Sequence, residues 1–198
     1  MDLQLKGLQA IVTGGTKGIG RAIAQTFAAE GADVALCARN ANEVAQTISD
    51  FSHYGVKIVG EAVDVSDASK LREWVAEVDK SLGGIDIVVA NVSTLAISNN
   101  EDGWQRGFNV DMMGTVRLIN AAMPSLERSR KPAIVTISSA SGREIDFASG
   151  PYGAFKAAIV HYTQGLAYHL AAKGSPAASF ITGTNLVVDG ALTKGVQL

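Results

Sequence analysis

A doubly wound α/β fold, a parallel sheet between two layers of helices, is what this sequence predicts, on three observations. Short apolar runs rich in valine and isoleucine take turns along the chain with longer helical patterns. The runs themselves show little apolar/polar alternation, as expected of parallel strands covered on both faces. The first run ends in a glycine-rich turn that leads straight into a helix, the βα connection on which such sheets bind phosphate.

The strand candidates are 8–13, 33–38, 57–63, 85–91, 133–138 and 185–188, with helical patterns at roughly 18–30, 41–54, 67–82, 101–128 and 151–173 between them. A doubly wound sheet binds its ligand beyond the carboxyl ends of its strands. Gly14, Arg39, Asp64, Asn91 and Ser139 all fall there.

Composition narrows the function. The 198 residues are 47% hydrophobic and 18% charged, which suits one domain, 1–198, with a substantial core. A net charge of -2 leaves no basic footprint for nucleic acid. No apolar stretch approaches a bilayer span, and the start Met1-Asp-Leu-Gln-Leu-Lys6 has no secretory pattern, so a cytoplasmic protein without a membrane partner is expected. Cys37 is the only cysteine, which rules out an intramolecular disulfide, and its apolar run reads as a buried strand. His53, His161 and His169 lack cysteine or carboxylate partners at metal spacing, so no metal site is expected.

Ser139, Tyr152 and Lys156 carry the chemistry. Tyr152 and Lys156 stand at i, i+4, on one face of a helix, where an ammonium sits beside a phenol and favours the phenolate. Such a phenol exchanges a proton with an alcohol oxygen, while a serine hydroxyl from a separate strand end hydrogen-bonds the same oxygen. The reaction suggested is carbonyl/alcohol interconversion. Tyrosine and lysine at helical spacing also occur as an ordinary amphipathic rim; the glycine turn at the other end of the chain gives the pair its weight.

In that turn Gly14, Gly18 and Gly20 supply a tight exit from the strand, backbone approach to a pyrophosphate, and close packing of helix on strand. At the end of the second strand, Leu36-Cys-Ala-Arg39-Asn40, no acidic residue is present to bond a ribose 2′-hydroxyl. Arg39 offers a planar fork suited to phosphate and Lys17 a second positive charge, which favours NADP(H) over NAD(H). The alternative is that both are solvated surface bases.

These motifs together resemble the short-chain dehydrogenase/reductase family. Thr13 to Gly20 matches its Thr-Gly-x-x-x-Gly-x-Gly turn, Asp64-Val65 its adenine-contacting pair, and Ala90-Asn91-Val92-Ser93 stands where it usually has Asn-Asn-Ala-Gly. Ser139, Tyr152 and Lys156 fall on its catalytic serine, tyrosine and lysine, and Ile181-Thr-Gly with Val188-Asp-Gly resembles its last strand. The likeness is nearest to 3-oxoacyl-acyl-carrier-protein reductases and uncharacterised reductases sharing their motifs. It implies a three-layer Rossmann fold and an oxidoreductase acting on a small carbonyl or alcohol. It also implies nucleotide contacts from Gly14, Thr16, Lys17, Gly18, Ile19, Gly20, Arg39, Asp64, Val65, Asn91, Tyr152 and Lys156. Helices 101–128 and 151–173, apolar on more than one face through Met112, Val116, Leu118, Ile159, Val160 and Leu166, match those through which the family dimerises, commonly within a tetramer.

Two departures stand out. Where the family keeps an asparagine three residues before a glycine, this chain has Asp111 before Gly114, with Asn109 two residues off register. If a backbone carbonyl plays that role, aspartate serves equally; if the side chain does, a carboxylate near Lys156 alters the proton relay and works against the phenolate. The second departure is length. Between Gly174 and Ser175 roughly fifty to sixty residues of a complete domain of this family are absent, and the expectation is a segment missing from this sequence, where substrates are chosen. Asn99, Arg143, Glu144 and Phe147 are candidates for the near side of that pocket, or ordinary loop residues. The alternative function is a dinucleotide-binding regulatory protein of the same fold.

Overall fold

The computed structural model describes residues 3–172 and 183–186. Five strands, β1 (Gln9–Thr13), β2 (Asp33–Ala38), β3 (Ile58–Ala62), β4 (Ile87–Ala90) and β5 (Ala133–Thr136), form one parallel sheet in the order β3-β2-β1-β4-β5. The chain winds outward from β1 to β3, then returns to lay β4 against the other side of β1. That reversal opens the crevice in which doubly wound sheets bind ligands.

Helices α1 (Gly18–Ala29), α2 (Ala41–Phe51), α3 (Ala68–Leu82), α4 (Glu101–Arg106), α5 (Met113–Leu126) and α6 (Pro151–Ala172) complete the layers. Successive strand residues face opposite sides. Ala10, Val12, Val34, Leu36, Ile87 and Val89 pack with Ala24, Ala28, Val44 and Phe51 beneath α1 and α2. Ile11, Ala35, Cys37, Val88 and Ala90 pack with Leu71, Trp74, Leu118, Ile119 and Leu126 beneath α3 and α5. Burial on both faces is why the sequence shows runs instead of alternation. It also pushes the Cys37 thiol up to about 12, leaving it an unreactive core residue.

The pattern at 101–128 reads as one helix, but the structure interrupts it. Gly107–Met112 winds as a π-helix between α4 and α5. Such π turns are rare and frequently mark functional sites; here the segment carries the buried Asp111. Of the residues that make the helical patterns 101–128 and 151–173 apolar on more than one face, Leu118 and Ile159 are fully buried and Leu166 packs against the core, while Met112, Val116 and Val160 are half-buried.

The expected strand at 185–188 is only half described, as Asn185 and Leu186, which have no regular structure; the Gly174–Ser175 junction lies outside the described residues. On the described sheet β5 is the outer strand, bordered by a groove of about 590 Å³ lined by Leu8, Ile87, Val135, Leu166 and Leu170.

Candidate active site

The glycine turn is held from two directions. The backbone N–H groups of Gly14 and Gly15 donate to Cys37 O at 2.9 and 3.1 Å. Asn91, just past β4, donates from Nδ2 to Thr13 O at 3.0 Å and Gly14 O at 3.3 Å, and its own N–H donates to Thr13 Oγ1. The Asn91 amide is therefore committed to shaping the turn. Gly14 has φ 67°, open to glycine at little cost, and a Cβ on Gly20 would run into Gly14 O and Asn91 Nδ2.

Side chains cap α2, α3 and α4 through Asn40, Asp67 and Asn100, but none caps α1, whose N-cap is Lys17. Uncapped first-turn N–H groups carry the positive end of the helix dipole and suit a pyrophosphate. Around them stand Thr16, Lys17, Gly18 and Ile19 on the turn, with Arg39 beyond β2, exposed and without a hydrogen-bond or ion-pair partner among the described residues. Asp64, also exposed, accepts from Ser66 N and Oγ, and Val65 is buried against Gly114. These residues fit a dinucleotide.

Lys17 is not a free charge at this end of the site. No acidic residue ends the second strand, yet one arrives from α2: Glu43 ion-pairs with Lys17 at 2.8 Å and accepts from Thr16 Oγ1 at 3.3 Å. The Lys17 bond holds its carboxyl below the usual carboxylate range. Its signal was the spacing Asn40-x-x-Glu43, that of a capping box, which puts a glutamate in the first turn of a helix beside the glycine turn.

The catalytic candidates gather where β5 meets α6. Ser138 Oγ donates to Lys156 O at 2.8 Å, which ties the strand end to the helix one turn past Tyr152. The loop after β4 holds the start of α6, because Tyr152 N donates to Ala96 O at 3.1 Å. Ser139 Oγ accepts the Ser141 N–H at 3.2 Å, which aims it. Its hydrogen makes only a long 3.4 Å contact with Ser141 Oγ and remains usable for a substrate oxygen.

Lys156 is 2% exposed, and its Nζ donates to Ile137 O at 2.8 Å and lies 5.7 Å from the centroid of the Tyr152 ring. Asp111, 1% exposed, reaches the same ammonium: Oδ1 lies 3.8 Å from Nζ and has no hydrogen bond, while Oδ2 accepts the N–H and Oγ1 of Thr94, each at 3.0 Å. Burial lowers the Lys156 pKa, and the Asp111 charge pushes it back up. The Asp111 carbonyl meanwhile accepts Thr115 Oγ1 at 2.8 Å. The side chain thus faces the lysine directly, and of the two readings of Asp111 it is the one in contact.

Beside this cluster Asn99, Trp104, Arg143, Glu144 and Ile145 line a depression of about 360 Å³. Phe147 does not line it and is 85% exposed. Among the described residues no group of three or more His, Cys, Asp or Glu is placed to hold a metal, and no helix is long and apolar enough to cross a membrane.

The sequence model of the short chain dehydrogenases matches residues 9–185, a stretch that includes every residue of this site. The chain belongs to that family. Isoepoxydon dehydrogenase patN of Penicillium expansum is 30% identical to it over 255 positions, covering 98% of this chain and 97% of that protein. The alignment is longer than the 198 residues present, so dozens of positions in that relative face no residue here. Among solved structures, L-sorbose reductase from Gluconobacter frateurii, complexed with NADPH and L-sorbose, superposes with a TM-score of 0.81 at 30% identity, over 87% of this chain and 67% of that one. A 7α-hydroxysteroid dehydrogenase complexed with NADH gives 0.82 at 26% identity, over 87% and 69%. This short-chain dehydrogenase is accordingly an oxidoreductase by family, and these two solved structures are complexed with NADPH and with NADH.

Proposed function

We propose that the protein is an NADP(H)-dependent oxidoreductase that interconverts a carbonyl and a secondary alcohol. The observation that carries the reading is the buried Lys156 ammonium beside the Tyr152 ring, on a helix hydrogen-bonded to the strand end that bears Ser139. When bound, the cofactor supplies or accepts the hydride at its nicotinamide ring. Ser139 holds the substrate oxygen by donating its hydroxyl hydrogen, and Tyr152 gives or takes the proton at that oxygen. Lys156, held by Ile137 O, keeps a positive charge next to the phenol and binds the nicotinamide ribose.

Preference for the 2′-phosphate rests on Arg39, whose guanidinium has no competing partner among the described residues, with Lys17 across the turn. Arg39→Ala should lose about 1.5 to 3 kcal/mol of NADPH binding and little of NADH, read by fluorescence titration with each cofactor. Equal losses would assign Arg39 another role. Relatives acting on a sugar and on a steroid point to no single substrate. The test is therefore NADPH oxidation over a panel of ketoses, cyclic ketones and 3-oxoacyl thioesters. Turnover of any member supports the reading; tight NADPH binding with no turnover across the panel favours the regulatory alternative.

We also propose a homo-oligomer through the helical patterns 101–128 and 151–173, on an exposed aromatic patch that they carry. Trp104 and Phe108, 41% and 44% exposed, flank Phe155 with ring centroids 5.7 and 6.1 Å away, an aromatic surface spanning the α4 side and α6. Light scattering at micromolar concentration should find a dimer or tetramer, and Trp104→Glu should shift it toward monomer. A wild-type monomer would falsify this.

A further inference from the structure

The glycine turn and α2 meet around one carboxylate. Glu43 Oε1 receives Lys17 Nζ at 2.8 Å and Asn40 Nδ2 at 3.3 Å, and Oε2 receives Thr16 Oγ1 at 3.3 Å. Three donors, one of them cationic, stand around a single internal anion, and Arg39 is the chain neighbour of Asn40. The fold does not require Glu43 to be there. Asn40 Oδ1 already caps α2 by accepting the N–H groups of Asn42 and Glu43. In a reciprocal capping box the glutamate folds back onto the cap residue's backbone N–H; here it reaches across to the turn instead.

A hydroxyl, an ammonium and an amide converging on one point, with a guanidinium on the next residue along the chain, are donors suited to a phosphate monoester. We propose that Glu43 is a specificity-determining residue of the nucleotide site, a built-in anion that occupies the donors a 2′-phosphate needs and so tempers binding of NADP(H) relative to NAD(H). This rests on the reading of Thr16, Lys17 and Arg39 as the 2′-phosphate end of the site. A phosphate dianion and a carboxylate brought to the same Lys17 ammonium repel each other. Either Glu43 swings away and gives up its ion pair, or the phosphate binds against its charge. A ribose 2′-hydroxyl carries no charge to repel and meets neither cost. The Lys17 side chain is 76% exposed and that of Glu43 32%, so both have room to move.

The test is titration calorimetry with adenosine 2′,5′-bisphosphate and with AMP, on the wild type, Glu43→Gln and Arg39→Ala. Glutamine keeps the shape and removes the charge. Glu43→Gln should bind the bisphosphate about three- to tenfold tighter, with AMP within about twofold, and the gain should shrink in high salt. Its melting temperature should match the wild type, because Asn40 still caps α2. Unchanged or weaker bisphosphate binding in Glu43→Gln overturns the proposal. So does a selective loss of AMP, which would make Glu43 a ribose ligand. If instead the wild type binds both compounds equally and Arg39→Ala changes neither, the cofactor reading itself fails, and the proposal with it.

Discussion

Replacing Tyr152 by phenylalanine lowers kcat by about 10²- to 10⁴-fold, while NADPH affinity stays within a few-fold. The ring keeps its packing in the first turn of α6 and its backbone bond to Ala96; only the hydroxyl that moves the proton is lost. Lys156 is fixed independently by Ile137 O and Asp111, so the variant's binding surface should hold its shape. The measurement is steady-state NADPH oxidation with whichever carbonyl of the panel the wild type reduces, alongside a direct cofactor titration. Turnover near the wild-type rate would remove Tyr152 from the acid/base role. A comparable loss of cofactor affinity would mean that the substitution had disturbed the helix start.

The features legible in the sequence are those that leave a local mark. Val34 to Cys37 and Ile87 to Ala90 lie between helices on both faces, so they appear in the sequence as unbroken apolar runs. Tyr152 and Lys156 are legible because one helical turn fixes their neighbourhood, and Gly14 and Gly20 because a side chain there has no room. Glu43 escapes sequence reasoning because its partners Thr16 and Lys17 lie more than twenty residues away, and only the β1–β2 register brings the two segments together. The π segment at Gly107–Met112 escapes it because one extra residue in a turn barely disturbs a periodicity spread over the whole 101–128 pattern. Apolar character alone does not sort Leu118 and Ile159, which the core covers, from Trp104 and Phe108, which it leaves exposed. That distinction depends on which face meets the sheet.

The π segment matters most for the buried charge it carries, Asp111. Removing that charge should cost stability at neutral pH and return it at alkaline pH. Asp111→Asn keeps an acceptor for the Thr94 N–H but leaves Lys156 buried without a counter-charge, a loss of about 1 to 3 kcal/mol. Asp111→Ala, which also abandons Thr94, should lose about 3 to 5 kcal/mol. The pH dependence comes from the direction of the shift. Burial holds the folded pKa of Lys156 below its ordinary value of 10.5, and the Asp111 charge opposes that depression. Below the folded pKa both the native and the unfolded chain carry the proton, and the full cost of the buried ammonium is present. As pH rises through the folded pKa the native lysine sheds its proton first, and the cost is relieved up to the unfolded pKa. Without the Asp111 charge the folded pKa falls further, so the deficit of Asp111→Asn should be largest near neutral pH and narrow on the way to about pH 10. The alkaline limb of its pH–rate profile should move to lower pH for the same reason. Thermal melts of both proteins across that range provide the check. A deficit that stays constant with pH, together with an unmoved alkaline limb, would show that Asp111 supports only Thr94 and that the Lys156 ammonium does not depend on it.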